Sequence, residues 1–270
     1  MDAFISLQKS IERLVRIKCS NYKEDYIKRR ILSRMRLANT EDFETYHKYL
    51  LENPQEIDLL RNALTINVTK FFRDPEVFEV IRREILPDLA RRKGSIRIWC
   101  AGCATGEEPY SIAILARELV MLHKDVSVTI YATDIDGVVL QKAIAGIYDL
   151  KALENVDEKR LRKHFISRDD GTFEVRPHIK ELVKFRRHDL MSGIPVARHF
   201  DAVTCRNVTI YFSEKQKIDL THLFYSALAV DGYYVMGKTE YLAREVEHLF
   251  TPYNVMQKIL RKAAPRDRTG

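Results

Sequence analysis

The residues with chemistry to offer sit where apolar runs end. Ile96 to Ala101 is a short strand-like stretch leading through Gly102, Cys103, Ala104, Thr105 and Gly106 straight into a helical pattern. A glycine-bearing turn between a strand and a helix lets the backbone approach a ligand, and the helix start offers free N–H groups. The glycines are Gly102 and Gly106 with three residues between them, which is not the G-x-G-x-x-G of dinucleotide folds. Glu108 follows in the first helical turn. A carboxylate there repels a pyrophosphate but suits a cationic ligand carrying an ammonium and a sulfonium, such as S-adenosylmethionine. Thr105 and Glu108 also fit a T-x-x-E capping box, which would give Glu108 a purely local task. Asp134 closes the next strand-like run, 28 residues beyond Gly106. That is where doubly wound nucleoside sites place an acid on the ribose hydroxyls, although an acid there or at Asp136 also serves to cap the next helix.

These groups need elements to hold them. Glu107 to Leu122 reads as a helix, Ser127 to Thr133 as a strand rich in β-branched residues, and Asp136 to Ala145 as a helix again. Leu182 to His188 and Phe200 to Cys205 are further strands, Ser213 to Leu228 a helix, Gly232 to Met236 a late strand, with a tail strand inside Tyr253 to Leu260. Such alternation predicts an α/β fold with a mostly parallel, Rossmann-like doubly wound sheet. Phe165 to Arg176, with Asp169, Asp170 and Gly171 at its turn, predicts an inserted β-hairpin. Asp74 and Pro75 open a helix that runs to about Arg92 and is interrupted near Pro87. Residues 4–62 show helical periodicity without any period-two run, so a small helical bundle comes first. The expected domains are residues 1–72, helical and basic, and 73–270, with the hairpin insertion at about 164–181.

The charge is uneven. The 270 residues carry a net charge of +7, yet residues 1–40 hold ten Lys or Arg against four acids while 41–66 hold two against six. At about 100° per residue, Ile27, Ile31 and Met35 share one helix face, and Arg29, Arg30, Arg34 and Arg36 occupy the rest, a polycationic surface for an acidic partner. A hydrophobic content of 46% with only 10 Gly and 8 Pro excludes disordered and collagen-like chains. Cys19, Cys100, Cys103 and Cys205 are too few for a disulfide scaffold, and no second Cys or His pair completes a zinc site. No apolar run approaches the ~20 residues that span a bilayer, and Met1 to Ser10 lacks the apolar stretch of a secretion signal, so a cytoplasmic location is expected.

Four segments carry a resemblance: Asn67 to Asp74 (NVTKFFRD), Thr105 to Ala113 (TGEEPYSIA), Ala132 to Asp136 (ATDID) and Cys205 to Phe212 (CRNVTIYF). Together the chain resembles the chemotaxis receptor glutamate O-methyltransferases, over nearly its whole length and including the helical front domain. The resemblance implies an S-adenosylmethionine site lined by Asn67, Thr69, Arg73, Glu108 and Asp134, with Gly102 in its glycine turn. It also implies that Asp189 and Leu190 lie near the adenine and that Arg206 and Asn207 border the same cleft, releasing S-adenosylhomocysteine as product. Family members often carry Asn where Asp189 stands. The implied partner is the acidic helical cytoplasmic domain of a chemoreceptor, met by the basic helix; in some relatives the hairpin subdomain also grips a peptide at the receptor's C-terminus. No nucleic acid and no membrane insertion enter this picture.

The chemistry is consistent with the resemblance. A glutamate side chain with a pKa of about 4.3 is already ionised at neutral pH, so methyl transfer to it needs no general base. The site must align the nucleophile and hold an anion while water leaves. Arg73, with its fork of donors, is the expected carboxylate clamp, and Tyr211 the phenolic donor beside it. Three other readings compete. Trp99-Cys100-Ala101-Gly102-Cys103 has the outline of a redox W-C-x-x-C, although the acidic helix start beside it would raise a thiol pKa. A nucleic-acid methyltransferase fits the basic charge but would show a D-P-P-Y-type or Pro-Cys motif where Thr204-Cys205-Arg206-Asn207 stands. A non-enzymatic adaptor would show a damaged cofactor site, whereas every expected position is filled.

Overall fold

A computed structural model describes residues 3–15, 17–65 and 69–263. The chain divides into two units, Met1–Asn67 with Tyr211–Lys217, and Val68–Ile210 with Ile218–Gly270.

The first unit is built on four helices, α1 (Ala3–Val15), α2 (Glu24–Leu37), α3 (Phe43–Glu52) and α4 (Pro54–Leu64). Each buries one stripe at helical spacing: Phe4, Leu7, Ile11 and Val15 of α1, Ile27, Ile31 and Met35 of α2, Tyr46 and Leu50 of α3, Leu60 and Leu64 of α4. Full burial of each aliphatic side chain contributes roughly 1.5–3 kcal/mol. The helix starts follow local chemistry, with the Asp42 carboxylate accepting from Thr45 N at 2.7 Å and Pro54 standing in the first turn of α4.

The second unit opens with α5 (Pro75–Val80), which passes through a π-helical turn, Ile81–Ile85, into α6 (Leu86–Arg92). Pro87 has no N–H to offer the carbonyl of Arg83, and the wider turn directly ahead of it absorbs that loss without ending the helical run. Then follow β1 (Ser95–Ala101), α7 (Glu107–Leu122), β2 (Ser127–Asp134), α8 (Gly137–Ala145), β3 (Ile147–Tyr148), α9 (Glu158–His164), β4 (Phe165–Ser167), β5 (Phe173–Val175), α10 (Pro177–Lys180) and β6 (Val183–Arg187). The chain closes with β7 (Phe200–Cys205), α11 (Glu214–Ala227), β8 (Leu228–Met236), β9 (Phe250–Asn254) and β10 (Ile259–Lys262).

Seven strands form one sheet in the order β6-β2-β1-β7-β8-β10-β9. The first five are parallel; β10 runs antiparallel to β8, and β9 to β10. This is the Rossmann-like doubly wound α/β sheet expected from the alternation of strand and helix. The single tail strand expected within Tyr253 to Leu260 is instead an antiparallel pair, because Val255–Lys258 makes a turn in which Asn254 Oδ1 accepts from Gln257 N at 3.0 Å. β1 is buried on both faces from Ile98 to Ala101, as a central parallel strand must be. The chain leaves β1 for β2 on one side and returns to β7 on the other, so the strand order reverses between β1 and β7. Crevices at such reversals, at the carboxyl ends of the strands, are where doubly wound folds hold ligands. The hairpin is present as β4 and β5, with Phe165 facing Val175, and β3 extends it to a three-stranded antiparallel sheet.

Candidate active site

The carboxyl ends of β1, β2 and β7 converge on the Gly102–Gly106 turn. Gly102 N and Cys103 N donate to Thr133 O at 2.8 and 2.9 Å, and Ala104 N donates to Asp134 Oδ2 at 2.9 Å. Three residues of the turn are left-handed, Gly102 (φ 75°), Ala104 (φ 47°) and Gly106 (φ 96°). At Gly102 a Cβ would fall 2.7 Å from the Val208 side chain, so glycine is what lets the loop after β7 lie against the loop after β1.

Asp134 bridges this turn and the next: its second oxygen accepts from Asp136 N at 3.0 Å. Burial pushes its carboxyl above the usual range, opposed by the backbone N–H groups it accepts. Asp136 caps α8, accepting from Val138 N at 2.8 Å. Asp189 and Leu190 follow β6, beside β2; His188 N donates to Asp134 O at 2.9 Å, and the exposed Asp189 accepts from Met191 N at 2.9 Å.

The capping box expected between Thr105 and Glu108 is not formed. The N-cap of α7 is Gly106, one residue later, and Thr105 Oγ1 donates to both oxygens of Glu107 at 2.9 and 2.7 Å. Burial raises the Glu107 carboxyl. Glu108 is thereby released for long-range bonds, accepting from Thr204 Oγ1 at 2.5 Å and from Arg206 Nη1 at 3.1 Å.

Arg206 is the hub of this network. Its buried side chain donates through Nη2 to Arg73 O at 2.8 Å and to Asp74 Oδ2 at 2.7 Å, and its guanidinium lies 5.4 Å from the Phe78 ring centre. Its Nε is buried and finds no acceptor among the described residues. The segment carrying Arg73 is pinned further by Phe71 N to Ala152 O at 3.0 Å and Phe72 N to Ser111 Oγ at 2.9 Å, while Phe72 and Asp74 are left-handed (φ 50° and 58°). Thr69 and Arg73 line a cavity of about 990 Å³ together with Thr105, Glu107, Tyr148 and Lys238. Asn67 lies outside the described residues.

Tyr211 groups with the helical unit, where its ring centre is 4.8 Å from that of Tyr26 and its carbonyl accepts from Lys23 N at 3.0 Å. In the same unit the four arginines of α2 separate by environment. Arg34 makes a bidentate pair with Glu56 at 2.9 and 2.7 Å; Arg30 lies 5.5 Å from the Tyr26 ring centre; Arg29 and Arg36 are exposed. Cys100, Cys103 and Cys205 are fully buried and burial pushes their thiols far up, the reverse of what a redox dithiol requires.

Sequence reasoning missed Glu240. It is buried, and its carboxylate accepts from Asn207 N, Val208 N, Thr209 N, Thr209 Oγ1 and Gly237 N at 2.6–3.1 Å. The one available signal was an acid three residues after a glycine at the end of the apolar run Tyr233 to Met236.

The residues present fit S-adenosylmethionine. Three carboxyls, those of Glu107, Glu108 and Asp134, stand at or beside a backbone turn, a set of acceptors suited to a cation and to sugar hydroxyls. A doubly wound sheet with acids in place of a phosphate cradle at its first two strand ends is the arrangement of an S-adenosylmethionine-dependent methyltransferase. The family model described as "CheR methyltransferase, SAM binding domain" matches residues 67–259, and "CheR methyltransferase, all-alpha domain" matches residues 2–65. The chain belongs to the CheR methyltransferase family. It is 31% identical over 247 residues to a chemotaxis protein methyltransferase of Listeria innocua serovar 6a, covering 91% of this chain and 92% of that one. Chemotaxis protein methyltransferase 2 of Vibrio cholerae serotype O1 is 33% identical over 230 residues, covering 83% and 80%. The corresponding protein of Borreliella burgdorferi is 34% identical over 247 residues, covering 85% and 87%.

Proposed function

We propose that this enzyme transfers the methyl group of S-adenosylmethionine to glutamate side-chain carboxylates of chemoreceptors, in the cytoplasm. The observation that carries this reading is Arg73 on the wall of a cavity, its backbone held by Arg206 against the acid-lined turn. S-adenosylmethionine supplies a methyl group activated by a sulfonium. Asp134, at the end of β2, takes the ribose hydroxyls, with Thr69, Asn207, Asp189 and Leu190 as further contacts. Glu108 acts through Arg206, and Arg73 clamps the incoming carboxylate by its planar fork of donors and keeps it aligned as water leaves. Since the nucleophile is ionised at neutral pH, no proton need move. Tyr211 is retained as a phenolic contributor, tested by Tyr211→Phe.

Docking falls to the exposed Arg29 and Arg36 of α2, complementary to an acidic receptor helix, and the edges of the β3-β5-β4 sheet offer a place for a tethering peptide to add a strand. Among the described residues no helix is long and apolar enough to cross a membrane.

The test is calorimetric titration with S-adenosylhomocysteine, followed by a labelled-methyl assay on receptor fragments. Micromolar binding, weakened tenfold or more by Asp134→Ala, is expected. Equal affinity in the variant would remove Asp134 from the site, and no labelled ester on receptor glutamates would overturn the substrate assignment.

A further inference from the structure

The buried Glu240 is not among the residues that the catalytic reading uses, yet it organises one wall of the site. Its side chain is acceptor-only, and among the described residues its five bonds come from donors in two loops: Gly237 N after β8, and Asn207 N, Val208 N, Thr209 N and Thr209 Oγ1 after β7. Four of the five donors are backbone groups, so the carboxylate specifies the path of the chain rather than the identity of a partner side chain. The loop turns sharply here: Asn207 is left-handed at φ 60°, a conformation that asparagine tolerates better than most residues, and the carboxylate fixes the N–H groups on and after it. The approach is also close: a Cβ at Gly237 would fall 2.7 Å from Glu240 Oε2 and 2.8 Å from Asn207 N. Lys238, in the same short turn, reaches across to Glu76 Oε2 at 2.9 Å, in the first turn of the helix that follows Arg73 and Asp74. The turn 237–240 therefore holds the loop carrying Arg206 and Asn207 on one side and the start of α5 on the other.

We infer that Glu240 is a positioning residue for the cofactor site, acting through the backbone of Asn207 to Thr209. The inference rests on the reading that Asn207 borders S-adenosylmethionine. Glu240→Gln keeps the shape of the side chain but turns one acceptor oxygen into an N–H donor. With its oxygen at the Val208 and Thr209 side, the amide faces Asn207 N and Gly237 N with donors of its own, releasing that edge of the loop.

The experiment measures S-adenosylhomocysteine binding by calorimetry on the full chain, and KM for S-adenosylmethionine against kcat, below the unfolding temperature of each variant. Glu240→Gln is expected to weaken binding about tenfold and to raise KM more than it lowers kcat. Asp201→Asn is the control for stability alone. It disturbs a buried acid near the start of β7, bonded to Lys93 Nζ and to Arg97 N, and is expected to lower the unfolding temperature without changing affinity. If Glu240→Gln does not fold, Thr209→Val, which removes a single donor, carries the test with an expected loss of about threefold. Asn207→Ala separates the two claims. Wild-type affinity in Asn207→Ala overturns the border reading. Weakened affinity there, with wild-type affinity in Glu240→Gln or its substitute, overturns the positioning role.

Discussion

A buried carboxylate in each unit of this protein gathers a dense set of donors, Glu56 in one and Glu240 in the other, and the two sets differ in kind. In the helical unit Glu56 is 3% exposed and, among the described residues, its carboxylate accepts from side chains, Arg34 on α2 and Tyr46 on α3, at 2.7–2.9 Å. In the α/β unit Glu240 is 2% exposed and accepts from four backbone N–H groups and one hydroxyl. An acid bonded to side chains ties three helices into one bundle, and its removal is felt as stability. An acid bonded to backbone dictates the course of a loop, and its removal is felt wherever that loop touches a ligand.

The largest effect follows from breaking the first of these. Arg34→Ala leaves Glu56 buried without its cation, which costs about 3–5 kcal/mol for a buried pair broken on one side. Urea unfolding of the full chain should show that loss while S-adenosylhomocysteine affinity stays at the wild-type value. The combined change Arg34→Met, Glu56→Leu and Tyr46→Phe removes both charges and the hydroxyl that Glu56 accepts from, and should recover most of the stability. A combined variant no better than the single one would mean that the bundle needs the ion pair itself and not merely the absence of an orphaned charge.

On the other side of the comparison stands Arg73. Arg73→Ala is expected to lower methyl transfer about 10²-fold, the scale of a nucleophile left out of line with the methyl group, with little change in unfolding temperature. Initial rates with receptor fragments measure the first quantity and calorimetric melting the second. A variant that melts early and turns over normally would assign Arg73 to the fold, alongside Glu56.

Much of this was legible in the sequence where local rules decide. The stripe of Ile27, Ile31 and Met35 is the buried face of α2, and the run Ile96 to Ala101 is the central strand. Asp134 stands at a strand end beside the glycine turn, as its spacing required. What escaped was decided by one residue of offset or by donors without a side-chain signature. Thr105 and Glu108 have capping-box spacing, but the helix begins at Gly106, so Thr105 reaches Glu107 and Glu108 turns to Thr204 and Arg206. Arg34 was grouped with the docking arginines although, seven residues beyond Ile27, it lies only about 20° from that residue around the helix and so borders the buried face. Glu240 escaped because backbone N–H groups look alike in any sequence; only Gly237, where a side chain would collide, marks the site.

The smallest expected effect separates two kinds of arginine on a single helix. Arg34 is paired inward, whereas Arg29 and Arg36 are exposed, and Arg36 Nε donates back to its own helix, at Leu32 O and 3.4 Å. Reversing Arg29 and Arg36 to Glu should leave the unfolding temperature and S-adenosylhomocysteine affinity unchanged, because neither side chain supports the bundle or the cofactor turn. Receptor methylation at low ionic strength should fall about tenfold, through slower encounter with an acidic helix rather than through slower chemistry. The deficit should shrink as salt is added, since the screening length contracts from about 30 Å at 0.01 M to about 8 Å at 0.15 M. An unchanged low-salt rate would leave α2 as a packing element whose outer charge serves solubility, and would move the receptor contact to another surface.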